Sequence, residues 1–127
     1  MVNRRKGEKR VALTLFQAFA DQTRLRILRV LRDGEMCVGD LIQIISVPQP
    51  TVSRHLAHLR RAGLVAARKE GPWVFYSLTS ARSPLHKQMV ICLDLCLNEI
   101  PELREDARAA GQQRLHGGCC PHSPHSP

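Results

Sequence analysis

The sequence has no apolar run approaching the roughly 18 residues that a membrane-spanning helix needs. It is also short of acidic residues. Asp and Glu total 11 against 19 Lys and Arg, a net charge of +8. That excess points to an anionic partner, nucleic acid ahead of a membrane surface. The basic opening "MVNRRKGEKR" leads into "VALTLFQAFADQTR", which is amphipathic and broken by charge. It does not fit a signal peptide, so the expected location is the cytoplasm. Aromatic residues are few, and the only Trp and the only Tyr fall together in "WVFYSL". Internal repeats are lacking. The 5 cysteines are odd in number and irregular in spacing, which argues against a disulfide scaffold. In a cytoplasmic chain they are expected as reduced thiols.

The 127 residues suffice for one domain. Residues 1–10 are polar and basic and read as a flexible N-terminus. Residues 11–20 read as a short helix with Leu13, Phe16 and Phe19 inward. Asp21 then suits the cap of "QTRLRILRVLRD", whose Leu25, Leu28 and Leu31 recur on one face, widened by Ile27 and Val30. Gly34 stops that helix, and a short aliphatic one follows over about 38–45. The residue before it is Cys37, where Ser, Thr, Asp or Asn would cap the free N–H groups better.

"SVPQPTVSRHLAHLRRAGL" predicts a further helix, with Pro48 and Pro50 at its entry and Val52, Leu56 and Leu59 inward. "LVAARKE" and "WVFYSL", separated by Gly71 and Pro72, read as a hairpin. Residues 84 to about 99 predict a longer helix. Leu85, Met89, Cys92, Leu93, Cys96, Leu97 and Ile100 form its stripe, and Ile91 and Leu95 add apolar area beyond it. Such a helix is either central or at a subunit interface. The main domain is therefore expected over 11–100. Residues 101–127 read as a polar C-terminal extension, part of it helical, ending in the Cys/His tail "HGGCCPHSPHSP". That tail is expected to be disordered without a ligand.

This order gives a mainly α fold with a β-hairpin wing, a winged helix-turn-helix. "FADQTRLRILRVLRDGEMCVGDL", "QPTVSRHLAHLRRAGLV" and "RKEGPWVFYSL" resemble the ArsR/SmtB family of metal-responsive transcriptional repressors, nearest the arsenic-sensing branch. The resemblance runs over roughly residues 13–78. It implies a homodimer joined through terminal helices. It also implies binding to an imperfect palindrome of double-stranded operator DNA, without a cofactor, and release by inducer. The family usually has Ser where this chain has Pro48, which removes a side-chain cap worth about 1 kcal/mol.

Gln49, Thr51, Ser53, Arg54 and His55 suit base edges and phosphates, and Arg68 and Lys69 in the wing suit phosphates. In the arsenic branch the pattern "CVC" supplies two thiolates. Here the second position is Gly39, so Cys37 is one corner of a site at most. Cys119 and Cys120 are adjacent and flanked by His116 and His122, and vicinal thiols chelate arsenic(III) and antimony(III). Cys37, Cys119 and Cys120 are thus the first candidate ligand set. Cys92 and Cys96, four apart on one helix face, are the second. Zinc or cadmium comes after arsenic and antimony as inducer. A persulfide- or redox-responsive repressor pairing Cys37 with Cys92 or Cys96 is an alternative, and a thiol-rich metalloid carrier is another. An enzyme is not expected: a phosphate-loop nucleophile needs an Arg one loop beyond its Cys, and Gln43 and Ile44 follow Cys37 there.

Overall fold

The computed structural model describes residues 2–118, with side chains from residue 7 onward. Helix α1 spans Val2–Phe19, so the stretch expected to be flexible over 1–10 is helical from Val2. Its inward face also differs from the expected one. Leu15 and Ala18 are buried, while Leu13 and Phe16 are more than half exposed, at 53 % and 55 %. Apolar residues occur on several sides of this helix, so the surface that docks on α2 selects the face rather than periodicity alone.

Helix α2 (Gln22–Arg32) forms as expected. Asp21 caps it, accepting the Arg24 N–H at 2.9 Å. Ile27, Leu28 and Val30 are completely buried. The short strand β1 (Met36–Cys37) was not legible from the sequence. It pairs with the wing, Met36 opposite Tyr76 and Cys37 opposite Phe75. Helix α3 (Val38–Ile45) starts at Cys37 with no side-chain cap, as the thiol predicts.

Helix α4 (Gln49–Arg61) buries Val52, Leu56 and Leu59. Strands β2 (Val65–Glu70) and β3 (Trp73–Leu78) form the hairpin, and the sheet order is β1-β3-β2. Helix α5 (Pro84–Glu99) is capped by Ser83 and turns His86, Met89 and Leu93 inward. Ile91 and Leu95 point outward, with Leu95 64 % exposed.

Helix α6 (Pro101–Leu115) revises the expected domain boundary. The described part of 101–127 is no mere extension, because α6 packs against α2, α3 and α5. Leu103 and Ala110 are completely buried. The Asp106 carboxylate accepts from Arg26 Nε at 2.7 Å and Nη2 at 3.0 Å. Arg114 Nη2 donates to the carbonyls of Val30 (3.0 Å) and Gly34 (2.8 Å), closing the C-terminal end of α2. The expected tail disorder falls on residues outside the described range. Among the described residues, no helix is long and apolar enough to cross a membrane.

Candidate nucleic-acid interface and thiol site

Helix α4 follows α3 across a short turn, and Pro48 stands at its N-cap without a side-chain hydrogen bond. Burial of Val52, Leu56 and Leu59 turns the opposite face outward. Gln49, Ser53 and Arg54 are exposed there, and Thr51 is half-buried. Gln49 and Ser53 are one helical turn apart, so they share a side of the helix. These four are among the residues that the sequence reading assigns to DNA contact, and the structure gives their exposure.

His55 stands apart from it. Its ring is half-buried, with Nδ1 3.3 Å from Arg24 Nη1 and 3.8 Å from Asp21 Oδ2. Burial lowers its pKa; Asp21 opposes that shift, and Arg24 and Arg54 add to it. His55 therefore ties α4 to the start of α2, with a ring that is mainly neutral at pH 7. Arg24 itself donates to the carbonyls of Gln17 (2.8 Å) and Ala18 (2.9 Å) at the end of α1.

In the wing, Arg68 and Lys69 differ. Arg68 is held by Glu35 through two bonds of 2.8 and 3.1 Å and by Glu70 at 2.7 Å. Its guanidinium also lies over the Phe75 ring, 4.5 Å from the centroid. These carboxylates raise its pKa further, Glu35 first. A cation shared by two carboxylates is a poor phosphate ligand, so Arg68 braces the wing instead. Lys69 is exposed. Sequence reasoning missed this pairing because Glu35 lies 33 residues away.

Cys37 is completely buried, packed with Phe75 and flanked by Trp73. Its Sγ lies 3.3 Å from Oδ2 of Asp40, a carboxylate that is itself buried. Asp40 also accepts from Gln113 Nε2 of α6 at 2.9 Å. Beyond α6 the Gly118 N–H donates to the Gln113 carbonyl at 2.9 Å, and the chain turns back with φ +71 at Gly118. Gly118 then lies so close to the Asp40 carboxylate that a Cβ there would collide with it. Glycine is required on both counts.

Cys37 is disulfide-bonded, whereas Cys92 and Cys96 are free. The expectation of reduced thiols holds for that helical pair and not for Cys37. A reducing compartment decides which state a cell populates, whereas proximity decides which bond can form. The expected alternative pairing of Cys37 with Cys92 or Cys96 is absent. Those two sit on α5, Cys92 exposed and Cys96 half-buried. Burial raises the Cys96 pKa, and its neighbour Cys92 raises it further. Among the described residues, no three His, Cys, Asp or Glu side chains are grouped to hold a metal ion. Cys119 and Cys120 lie outside the described range.

Residues 21–67 match the arsR family of bacterial regulatory proteins. The chain is 50 % identical over 72 residues to the uncharacterized HTH-type transcriptional regulator MJ1325 of Methanocaldococcus jannaschii, covering 56 % of this chain and 81 % of that one. It is 45 % identical over 76 residues to the arsenic resistance transcriptional regulator ArsR1 of Pseudomonas putida, covering 57 % of this chain and 59 % of that protein. Among solved structures, the homodimeric winged helix-turn-helix DNA-binding domain Mb0332 of Mycobacterium bovis superposes with a TM-score of 0.63. It is 25 % identical, covering 80 % of this chain and 89 % of that one.

Proposed function

The chain belongs to the arsR family of bacterial regulatory proteins, winged helix-turn-helix regulators of transcription rather than enzymes, and on that premise we propose that it is a cytoplasmic, homodimeric repressor released from operator DNA by arsenite or antimonite. Gln49, Thr51, Ser53 and Arg54 enter the major groove on α4, and Lys69 meets the backbone from the wing. The +8 charge of each chain, doubled in a dimer, favours a phosphate backbone. The outward apolar residues of α1 and α5, Val11, Leu13, Phe16, Ile91 and Leu95, cover one another across the dimer.

One observation carries the inducer reading. Gly118 rests against the Asp40 carboxylate, whose Oδ2 is 3.3 Å from Cys37 Sγ. Cys119 and Cys120 follow Gly118 directly in the sequence, and consecutive Cα atoms are only about 3.8 Å apart. The donor set fits trivalent arsenic or antimony, which bond soft thiolate sulfur. Cys37, Cys119 and Cys120 would hold it once reduced. Cys37 opens α3, which leads into α4, and it faces Phe75 in β3. A ligand there bears on the reading helix and on the wing together.

The bonded state of Cys37 favours a second reading, release by persulfide or oxidant. Titration of reduced protein on its upstream DNA separates the two. Arsenite at micromolar levels releases wild type but not the Cys119→Ser, Cys120→Ser variant if the first reading holds. Release by polysulfide alone supports the second, and failure to bind the DNA at all overturns both.

A further inference from the structure

Two free thiols stand together on α5, on a different helix from Cys37 and from the outward face of α4. Cys92 and Cys96 are four residues apart in the sequence, which stacks them one turn apart on one side of the helix. Their side chains are hydrogen-bonded to each other. Cys92 is exposed and Cys96 half-buried, so the pair opens to solvent through Cys92.

Their position around the helix keeps them accessible. Ile91 and Leu95 point outward, and each precedes one of the thiols by a single residue. The thiol strip therefore lies about 100° round the axis from the apolar strip proposed for the dimer. Met89 and Leu93 are buried and hold the core-facing side. Cys92 and Cys96 run along the flank between these two faces.

The donor set selects the ligand. Among the described residues, no third His, Cys, Asp or Glu is grouped with the pair to hold a metal ion. Arsenic(III) and antimony(III) have a third valence that two sulfurs leave unfilled, and structural zinc takes four ligands. Glu99 acts on Cys96 through its charge, and its carboxylate suits hard cations instead. Two thiolates alone complete the shell of a soft d10 cation such as copper(I), which accepts a linear S–metal–S arrangement and favours thiolate ligands. Cβ atoms one turn apart stand about 5–6 Å from each other. Rotation about χ1 lets two sulfurs on that span close around one ion.

We propose that Cys92 and Cys96 form a two-coordinate copper(I) site on the flank of α5. It is separate from the Cys37 site and independent of the arsenite reading. Binding forms one Cu–S bond to each residue and releases both thiol protons to solvent.

The test uses the full chain carrying Cys119→Ser and Cys120→Ser, reduced and kept from air, so that those thiols do not compete. Titration with copper(I) against a coloured copper(I) chelator should show one ion per chain. X-ray absorption at the copper edge should show two sulfur neighbours. Adding Cys92→Ser should weaken binding at least about a hundredfold, the gain that a second tethered ligand brings. Cys92 is exposed, so this variant should keep the circular dichroism and melting curve of its parent. Equal binding by the Cys92→Ser variant overturns the proposal, as does a third sulfur neighbour. One copper for every two chains also overturns it, because the ion would then bridge protomers. The readout involves neither DNA nor arsenite, so its failure is distinct from a failure of the repressor reading.

Discussion

The guanidinium of Arg26 grips the carboxylate of Asp106 through two hydrogen bonds, across 80 residues of sequence. The side chains are 18 % and 6 % exposed, so the pair is largely shielded from water. Removing one partner strands the other charge. Asp106→Ala is expected to lower stability by about 3 kcal/mol, read as a shifted urea midpoint. A shift within about 0.5 kcal/mol would mean that α6 contributes little to the core.

Gly118→Ala should change the response without removing DNA binding. The added Cβ meets the Asp40 carboxylate, and the backbone there adopts a positive φ that alanine disfavours. The expected result is wild-type affinity for the operator with a weakened effect of arsenite. Wild-type sensitivity in that variant would exclude this approach to Cys37.

The two wing cations should separate in a salt titration. Lys69→Ala is expected to reduce the slope of log affinity against log salt by about 1 per chain. Arg68→Ala should leave that slope unchanged, because Glu35 and Glu70 already neutralise the guanidinium. Equal slopes for the two variants would return Arg68 to the phosphate backbone.

Acidification should destabilise the fold. His55, His58 and His86 all have pKa values lowered from 6.5. Burial is the main cause in each. Asp21 opposes it at His55, Arg24 adds to it at His58, and Arg82 adds to it at His86. Below pH 6.5 the unfolded chain takes up more protons than the folded one, so stability present above that pH is lost as pH falls. The urea midpoint should be lower at about pH 5.5 than at about pH 7.5. His55→Gln should lessen the drop; an unchanged drop would place the titration elsewhere.

The outward apolar face predicts the assembly. Phe16→Glu with Leu95→Glu places charge where Phe16 is 55 % and Leu95 64 % exposed. Sedimentation should show monomers in place of dimers, with folding retained because neither side chain is in the core. A dimer that survives both changes must use another surface.

Local signals carried much of this fold. Asp21 as a cap, the α2 and α4 stripes, the hairpin and the uncapped start at Cys37 depend on neighbours a few residues away, and all were legible. The inward face of α1 was not, because apolar residues surround it and docking chose among them. The pairing of β1 with β3 was not legible either, since a two-residue strand has no periodicity. Arg68 looked like a phosphate ligand until Glu35 was brought beside it. His55 looked like part of the reading face until Asp21 and Arg24 engaged it. Gln49, Ser53 and Arg54 were readable because an outward side chain needs no distant partner to define it.

The span between Arg26 and Asp106 also bears on synthesis. Chains fold from the N-terminal end as they leave the ribosome. Helix α2, helix α4 and the wing all emerge before Asp106 does. For that interval Arg26 has no carboxylate to meet, and Arg114 has yet to close the end of α2. The elements that read DNA therefore emerge first. The helix that leads the chain back to Asp40 docks last, so under the proposed function a newly made protein acquires its grip on DNA before it acquires the means to let go.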